Sequence, residues 1–543
     1  MAMTMLWGVA GASAQTTLPQ AGYTLAAPMS STDTLLVDLD GSVAHLWPSA
    51  DYPGLAAYLL PDGNLLRTVD DGSLQVGGAG GGFDVIGWDG QVLWEFRYSS
   101  PNVLQHHDVE ALPNGNVLLI AWERKTGAEA VAAGRNPATV GNVLRPDHVI
   151  EVQQTGPVTG SIVWEWHVWD HLVQDFDAGQ ANYGVVGDHP ELVDINFPPG
   201  ALGPGSMGDW QHTNGIAFNP ELDQIVLSAH HFGEAWIIDH STTTEEAASH
   251  AGGASGMGGD LLYRWGNPVA YGHGTQADQM LWGQHDVQWI AGGSPGEGHL
   301  LVFNNGGGRP GGPYSSVDEF ETPWDAQAGS YLRSPGQPFG PSDLVWTYVA
   351  PDPLSFFAMN ISGAERQPNG NTLICNGPLG YLFEVDAVGH IVWDWQNTIP
   401  QPGSKRIFKS RRYQNWLWPG DSEVSVAVGD SVELSLLAGS SNSGRLYVMA
   451  GTLSGTSPGL LLPGGLAIPL NPDSLTDLVL ASPFGPVFVD FVGFLDAQGL
   501  AAATLDTLGP VPSHLAGVTI HFAYVLAGPV DFASNPVAVT FVP

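Results

Sequence analysis

The sequence predicts an all-β protein: a six-bladed β-propeller over residues 24–417, closed by strands from both ends of that region, then a small β-sandwich-like domain over residues 418–543. Three observations predict it. An aromatic phrase recurs six times, as VAHLW (43–47), VLWEF (92–96), IVWEW (162–166), LLYRW (261–265), LVWTY (344–348) and IVWDW (391–395). A turn phrase recurs as LPDGNLLRTV (60–69), LPNGNVLLIAW (112–122), NPELDQIVLSA (219–229) and QPNGNTLICNG (367–377). No stretch carries a convincing amphipathic helical pattern.

Each aromatic phrase alternates with period two and is rich in β-branched and aromatic residues, as a half-buried strand requires. Several follow a Gly or Asp turn, as in GWDGQVLWEF and DAVGHIVWDW, so the preceding strand pairs with them as a hairpin. In the turn phrase, Pro at the second position and Gly after it make a tight reversal between two further strands. The unit is therefore four strands: an inner one ending at the reversal, a second, a third, and the aromatic outer one. Repetition of such units is the pattern of a propeller.

Closure follows from the two ends. TLLVDLDGSVAHLW (34–47) supplies two strands with no inner partner before them, and SKRIFKSRRY (404–413) supplies an inner strand with no aromatic partner after it. Joining them completes a sixth unit and removes an open sheet edge. Beyond residue 418 the phrases stop. From Pro419 onward the only basic residue is Arg445, and short apolar strands such as GRLYVMAGTL and VTIHFAYVLAG alternate with Gly, Pro, Ser and Asn. No reactive constellation occurs there, so packing, adhesion or attachment is the expected role.

Sixteen basic against 54 acidic residues give a net charge of -38, which excludes the basic footprint of nucleic-acid binding and predicts no nucleic-acid partner. Any anion must be held locally by one of the few arginines. The single cysteine, Cys375, rules out an intrachain disulfide and a thiolate metal cluster. Residues 1–14 end in Ala12-Ser13-Ala14 after a short apolar stretch, so the remnant of a secretory signal is expected there, and with it a secreted or periplasmic location. No later apolar run approaches the about 18 residues of a spanning helix, so no membrane insertion is expected.

The inner strands of a propeller line its central channel. They carry His106-His107-Asp108 in the second unit, His212-Thr213-Asn214 in the third and His285-Asp286 in the fourth, while the fifth has Asn360, Ser362 and Arg366. Period two lets either His106 or His107 face the axis, and alignment of HDVEA with HDVQW favours His107. A lone channel histidine can simply bond to backbone, but three on consecutive inner strands converge. They can ligate a transition metal or act as nucleophile and acid–base groups on an anionic substrate. Arg309, in VFNNGGGRPGG beside Asn305, and Arg366 are candidates to bind a tetrahedral oxyanion. Trp210, Trp282 and Phe357 are either core or platforms for aryl rings. The insertion at 167–196, with His171, Asp175 and His189, is either a solvated loop or a cap on one channel face.

Taken together, HHDVEALPNGNVLLIAWE, WEWHVWDHL, DWQHTNGIAFNPELDQIVLS, IIDHSTTTEEAA, GQHDVQWI, LLVFNNGGGRP and ISGAERQPNGNTLICNGPLGYLFEVD resemble the bacterial arylsulfotransferase (aryl-sulfate sulfotransferase) family. The resemblance runs over roughly residues 30–415 and does not reach the C-terminal domain. It implies a six-bladed propeller, and transfer of a sulfuryl group from an aryl sulfate ester to a phenolic acceptor, independent of PAPS, by an exported enzyme without a cofactor. The route it implies is ping-pong, through a sulfohistidine. The family's channel histidines fall on His212 and His285 and its sulfate-binding arginine on Arg309. Its sulfurylated histidine lies on a later blade, where this sequence has Asn360, Ser362 and Arg366, so the nucleophile is expected to be His285 or His212, with His107 as a further acid–base. Asn305, Asn360 and Arg366 are the additional substrate-binding candidates. The rival reading is a propeller whose His107, His212 and His285 hold a metal. A third is a binding module that has lost its chemistry.

Overall fold

The structure is a computed structural model describing residues 18–74, 77–198, 207–400, 403–414, 416–462 and 465–543. The expected export segment at 1–14 lies outside the described residues. The protein is all-β. Five four-stranded antiparallel sheets follow one another in the chain, with inner strands Pro53–Leu59, Val103–Ala111, Thr213–Asn219, His285–Trp289 and Gly363–Arg366. Their outer strands, Val92–Arg97, Thr159–His167, Tyr263–Trp265, Trp346–Tyr348 and Ile391–Gln396, are the aromatic phrases. A sixth sheet has inner strand Arg411–Tyr413 and outer strand Val43–Trp47.

In the sixth sheet the N-terminal side contributes three strands, one more than its sequence predicts. Tyr23–Ala26 pairs Thr24 with Arg412 on one side and Thr34–Val37 on the other. Four residues are too few to display an alternation, and all four are buried. Pairing across this sheet leaves no exposed inner edge at the point where the two ends meet.

The recurrence of tryptophan has a physical cause. One indole N–H of each outer strand donates to the neighbouring sheet: Trp94 to Thr159 O at 3.1 Å, Trp164 to Thr242 Oγ1 at 3.1 Å, Trp265 to Pro341 O at 2.8 Å, Trp346 to Ala387 O at 3.0 Å, Trp393 to Leu39 O at 2.7 Å, and Trp47 to Gly87 O at 3.1 Å. A buried indole keeps its apolar body in the intersheet core only if its N–H finds an acceptor. Truncating a fully buried one such as Trp47 to Ala would cost about 3–5 kcal/mol.

The inner strands are tied sheet to sheet as well. Tyr58 Oη donates to Asp108 Oδ1, Ile216 N to Asp108 Oδ2, Asn214 Nδ2 to Gln284 O, Ala364 N to Asp286 Oδ2, Arg412 N to Glu365 Oε2, and Leu59 N to Tyr413 Oη. Each of these bonds runs from one sheet to the next.

From Leu417 onward two further sheets, of four and six strands, share one core that includes Leu434, Leu436 and Leu505 on one side and Met449, Phe522 and Val539 on the other. This part meets the preceding sheets through Trp418, stacked on Trp88 at 5.2 Å and 15°. Among the described residues no helix is long and apolar enough to cross a membrane.

Candidate active site

Gln-His stands in or just before three inner strands, and the two residues do different work. The glutamines are anchors: Gln105 Oε1 accepts from Gly81 N and Gly82 N, Gln211 Oε1 accepts from Asp147 N, and Gln284 Nε2 donates to Glu234 O. All three are fully buried. Just past them the backbone enters the left-handed region, with φ of 53° at His107, 54° at His212 and 56° at Asp286, and the ladder register shifts. These bulges break the period-two alternation and re-aim side chains. Both His106 and His107 are therefore buried. His107 turns to His212, ring centroids 4.5 Å apart, and His106 stacks on Trp122 at 4.2 Å. Their Nδ1 atoms stand 2.8 Å apart, so one donates and the other accepts. His106 Nε2 is 3.3 Å from Asp147 Oδ1 without the alignment of a hydrogen bond.

Two further histidines, invisible to a scan of inner strands, complete the cluster. His230 and His231 follow the second strand Gln224–Ala229. His230 lies 5.1 Å from His212 and 5.2 Å from His285, ring to ring, and bridges them; His231 stacks on His212 at 4.9 Å. The signal was present as His-His in LSAHHFG, at the strand end that adjoins the inner-strand histidine. The corresponding position of the next sheet holds Asn304-Asn305.

Hydrogen bonds fix the tautomers of the two central rings. Asn305 Nδ2 donates to Ala358 O and Ile361 O, so its Oδ1 faces His285 Nδ1 at 2.8 Å and accepts a proton from it. Ile361 N donates to His285 Nε2 at 3.1 Å. Both nitrogens of His285 are thus engaged, and burial pushes its pKa down to about 4. His212 differs. Its Nδ1 lies 2.5 Å from Asp209 Oδ2, which leaves Nε2 free of any such partner among the described residues. Burial works to lower its pKa, but the Asp209 carboxylate outweighs it and holds the imidazole above its usual range. His107 and His230, buried among other imidazoles, are held well below theirs.

Beneath the histidines the closing strand inserts Phe408, 6.0 Å from His107 and 6.3 Å from His285, and then two cations. Lys409 Nζ reaches Asp108 Oδ2 at 2.6 Å and Asp286 Oδ1 at 3.2 Å, and Arg411 grips Asp286 with both terminal nitrogens at 2.9 and 2.6 Å. The aspartates of the two His-Asp pairs thus hold buried charge. Asp286 sits at about 2 because Arg411 and Lys409 outweigh its burial. Sequence reading took this segment only as the closing strand and missed its lysine and arginine.

The structure brings together His107, His212, His285 and Asn305. Asn360 is half-buried beside Ile361, at the edge of this group. Arg309 lies on the loop that leaves Asn305, stacked over Tyr314 at 4.2 Å and donating to Ser316 Oγ at 3.0 Å, with no ion pair among the described residues. Arg366 is placed elsewhere. It pairs with Glu319 Oε2 at 2.5 Å and stacks on Trp346 at 4.5 Å, so its charge is already matched between two sheets. Trp210 is fully buried with its N–H on Phe197 O, Trp282 is buried, and Phe357 is exposed. His107, His212 and His285 do not offer a common ligand point; the atoms that do belong to Asp209, His212 and His231, all within 4.8 Å of one another.

Repeated four-stranded sheets that converge on a buried histidine cluster define a repeat protein with an imidazole-centred site. The family model for arylsulfotransferase (ASST) matches residues 34–401, and the chain belongs to that family. It is 26% identical over 326 residues to the arylsulfate sulfotransferase AssT of Escherichia coli, covering 56% of this chain and 49% of that one, and the same figures hold for AssT of Lelliottia amnigena. The chain thus spans about half the length of these relatives. Among solved structures, a Bacteroides caccae protein of unknown function is similar with a TM-score of 0.40, at 12% identity over 72% of this chain and 98% of that one. Virginiamycin B lyase of Staphylococcus aureus is similar with a TM-score of 0.34, at 10% identity over 70% and 83%.

Proposed function

We propose that the six four-stranded sheets are the blades of one closed propeller, with the C-terminal sheets as a sandwich, and that the histidine cluster transfers sulfuryl groups between phenols. The indole bonds and the inner-strand bonds, each running from one sheet to the next, support the closed ring. The observation that carries the chemistry is the Asp209–His212 pair. With Nδ1 hydrogen-bonded to the carboxylate, neutral His212 presents the Nε2 lone pair to a substrate, the arrangement of an oriented nucleophile.

In the first half-reaction His212 Nε2 attacks the sulfur of an aryl sulfate. The N–S bond forms, the ester S–O bond breaks, and the phenolate leaves with its electron pair and takes a proton from solvent. Asp209 offsets the positive charge left on the sulfo-imidazolium. In the second, a phenol oxygen attacks the sulfur, its proton passes to His107 or His230, and the N–S bond breaks. Both rings are held neutral, as an acceptor of that proton must be. Arg309, without an ion pair among the described residues, is the cation for the sulfate oxygens.

The experiment is incubation with a chromogenic aryl sulfate and a phenol. A single-equivalent burst of chromophore without acceptor, sustained release only with it, and a trapped sulfohistidine at residue 212 are the expected results; absence of all three from folded protein rejects the proposal. The exported location belongs to the same proposal and is checked by cell fractionation. A second reading rests on the approach of Asp209, His212 and His231, which is that of a metal site. Stoichiometric metal that is lost in H231A together with all activity would favour it.

A further inference from the structure

We propose that His171, His250 and Asp260 form a binding site for a divalent transition-metal ion of the zinc and copper type, apart from the channel histidines. The three come from two segments that the family reading leaves without a role: the 167–196 insertion, and the loop between strands Glu234–Asp239 and Tyr263–Trp265. Asp260 Oδ1 lies 2.8 Å from His171 Nδ1 and 2.7 Å from His250 Nδ1. His171 is fully buried and Asp260 nearly so.

Counting donors and acceptors shows why a cation fits. His171 Nε2 is 2.8 Å from the carbonyl oxygen of Ala247, which can only accept, so Nε2 carries the ring proton. When the ring is neutral, Nδ1 points a lone pair at a carboxylate oxygen that also offers only lone pairs, so a cation, either a second ring proton or a metal ion, must lie between them. A metal ion shared by the two Nδ1 atoms and Asp260 resolves the opposition. The Ala247 carbonyl plays the part of the outer partner that sets the tautomer of a ligating imidazole.

The pocket around the ring is shaped to one position. A side chain at Gly259 would bring Cβ to 2.0 Å from Ala247 O and 2.6 Å from His171 Nε2, so only glycine lets the loop approach. Gly259 O accepts from Trp166 Nε1 at 2.7 Å, and the Trp166 ring lies parallel to His171, 7° between planes. His250, by contrast, is 61% exposed and stands on the wall of a cleft of about 560 Å³ shared with Trp169, Tyr183 and His189. Two imidazole nitrogens and one carboxylate oxygen, opening on a cleft, suit an ion that keeps a coordination position for water or a ligand.

The full chain, stripped with chelator, is titrated with Co²⁺ followed by visible absorption and with Zn²⁺ followed by calorimetry. The expected result is uptake that weakens at least about 100-fold in H250A, whose exposed side chain is dispensable for folding, and in D260N, but persists in H212A and H231A. Three results overturn the proposal: no uptake by the wild-type chain, H250A and D260N binding as tightly as wild type, or loss confined to H212A and H231A.

Discussion

Asp209 Oδ2 stands 2.5 Å from Nδ1 of His212, while its Oδ1 accepts the indole N–H of Trp122 at 3.0 Å. One carboxylate thus joins the third sheet's inner strand to the second sheet's second strand and sets the tautomer of a central imidazole. If His212 is the nucleophile, H212A should lower aryl sulfate turnover about 10²–10⁴-fold or more, and D209N should fall in the same range. The neutral ring is the active form and Asp209 raises its pKa, so activity is lost as pH falls through a value above the ordinary 6.5. In D209N that acid limb should move to lower pH, which a pH–rate profile measures.

Asn305 satisfies two carbonyls and one imidazole at once. N305A leaves Ala358 O, Ile361 O and His285 Nδ1 without partners in a buried site. Each such group costs about 1–3 kcal/mol, so denaturant unfolding should show a loss of several kcal/mol.

Lys409 lies between Asp108 and Asp286, with all three side chains nearly inaccessible. K409M strands buried carboxylate charge and should destabilise by about 3–5 kcal/mol. The Asp286 pKa is depressed, so its stabilising contribution is present above the unfolded value of 3.8 and is lost as pH falls through about 2. The stability gap between wild type and D286N should therefore close on acidification across that window.

Glu110 behaves in the opposite sense. It faces a cavity of about 430 Å³ at the far ends of the inner strands, and burial, then the neighbouring Asp108 charge, raise its pKa to about 8. The folded protein keeps this proton while the unfolded chain loses it from about pH 4.5 upward. Wild type should lose stability relative to E110Q between pH 4.5 and 8, with no further divergence above, in unfolding experiments run across that range.

Gly78 sits on the loop that covers His107, its carbonyl accepting from His107 N at 2.8 Å. A Cβ there would lie 1.8 Å from His107 Cε1, at a φ of 89°. G78A should displace the ring or the loop and impair turnover while leaving far-ultraviolet dichroism unchanged.

The strands and turns were legible because their signals are local: alternation, a reversal at Pro-Asn-Gly, a tryptophan per outer strand. The repeated Gln-His was legible as a pattern but not as a division of labour, since Gln105, Gln211 and Gln284 bond to residues 23 to 64 positions away. Arg309 and Arg366 look alike in sequence, each in Gly- and Asn-rich surroundings. Only folding sets Glu319 beside Arg366, while Arg309 donates to Ser316 Oγ and makes no ion pair among the described residues.

By itself the sequence determined the four-stranded repeat, the family, and the presence of imidazoles in or beside three inner strands. Tertiary structure decided which rings meet, which nitrogen of each is free, and which cations are already neutralised. Side-chain alternation along a strand is a property of neighbouring residues. Protonation and pairing depend on burial and on charges brought in by distant segments, such as His230 from a second strand and Lys409 from the closing one, and at the left-handed bulges the alternation itself gives way.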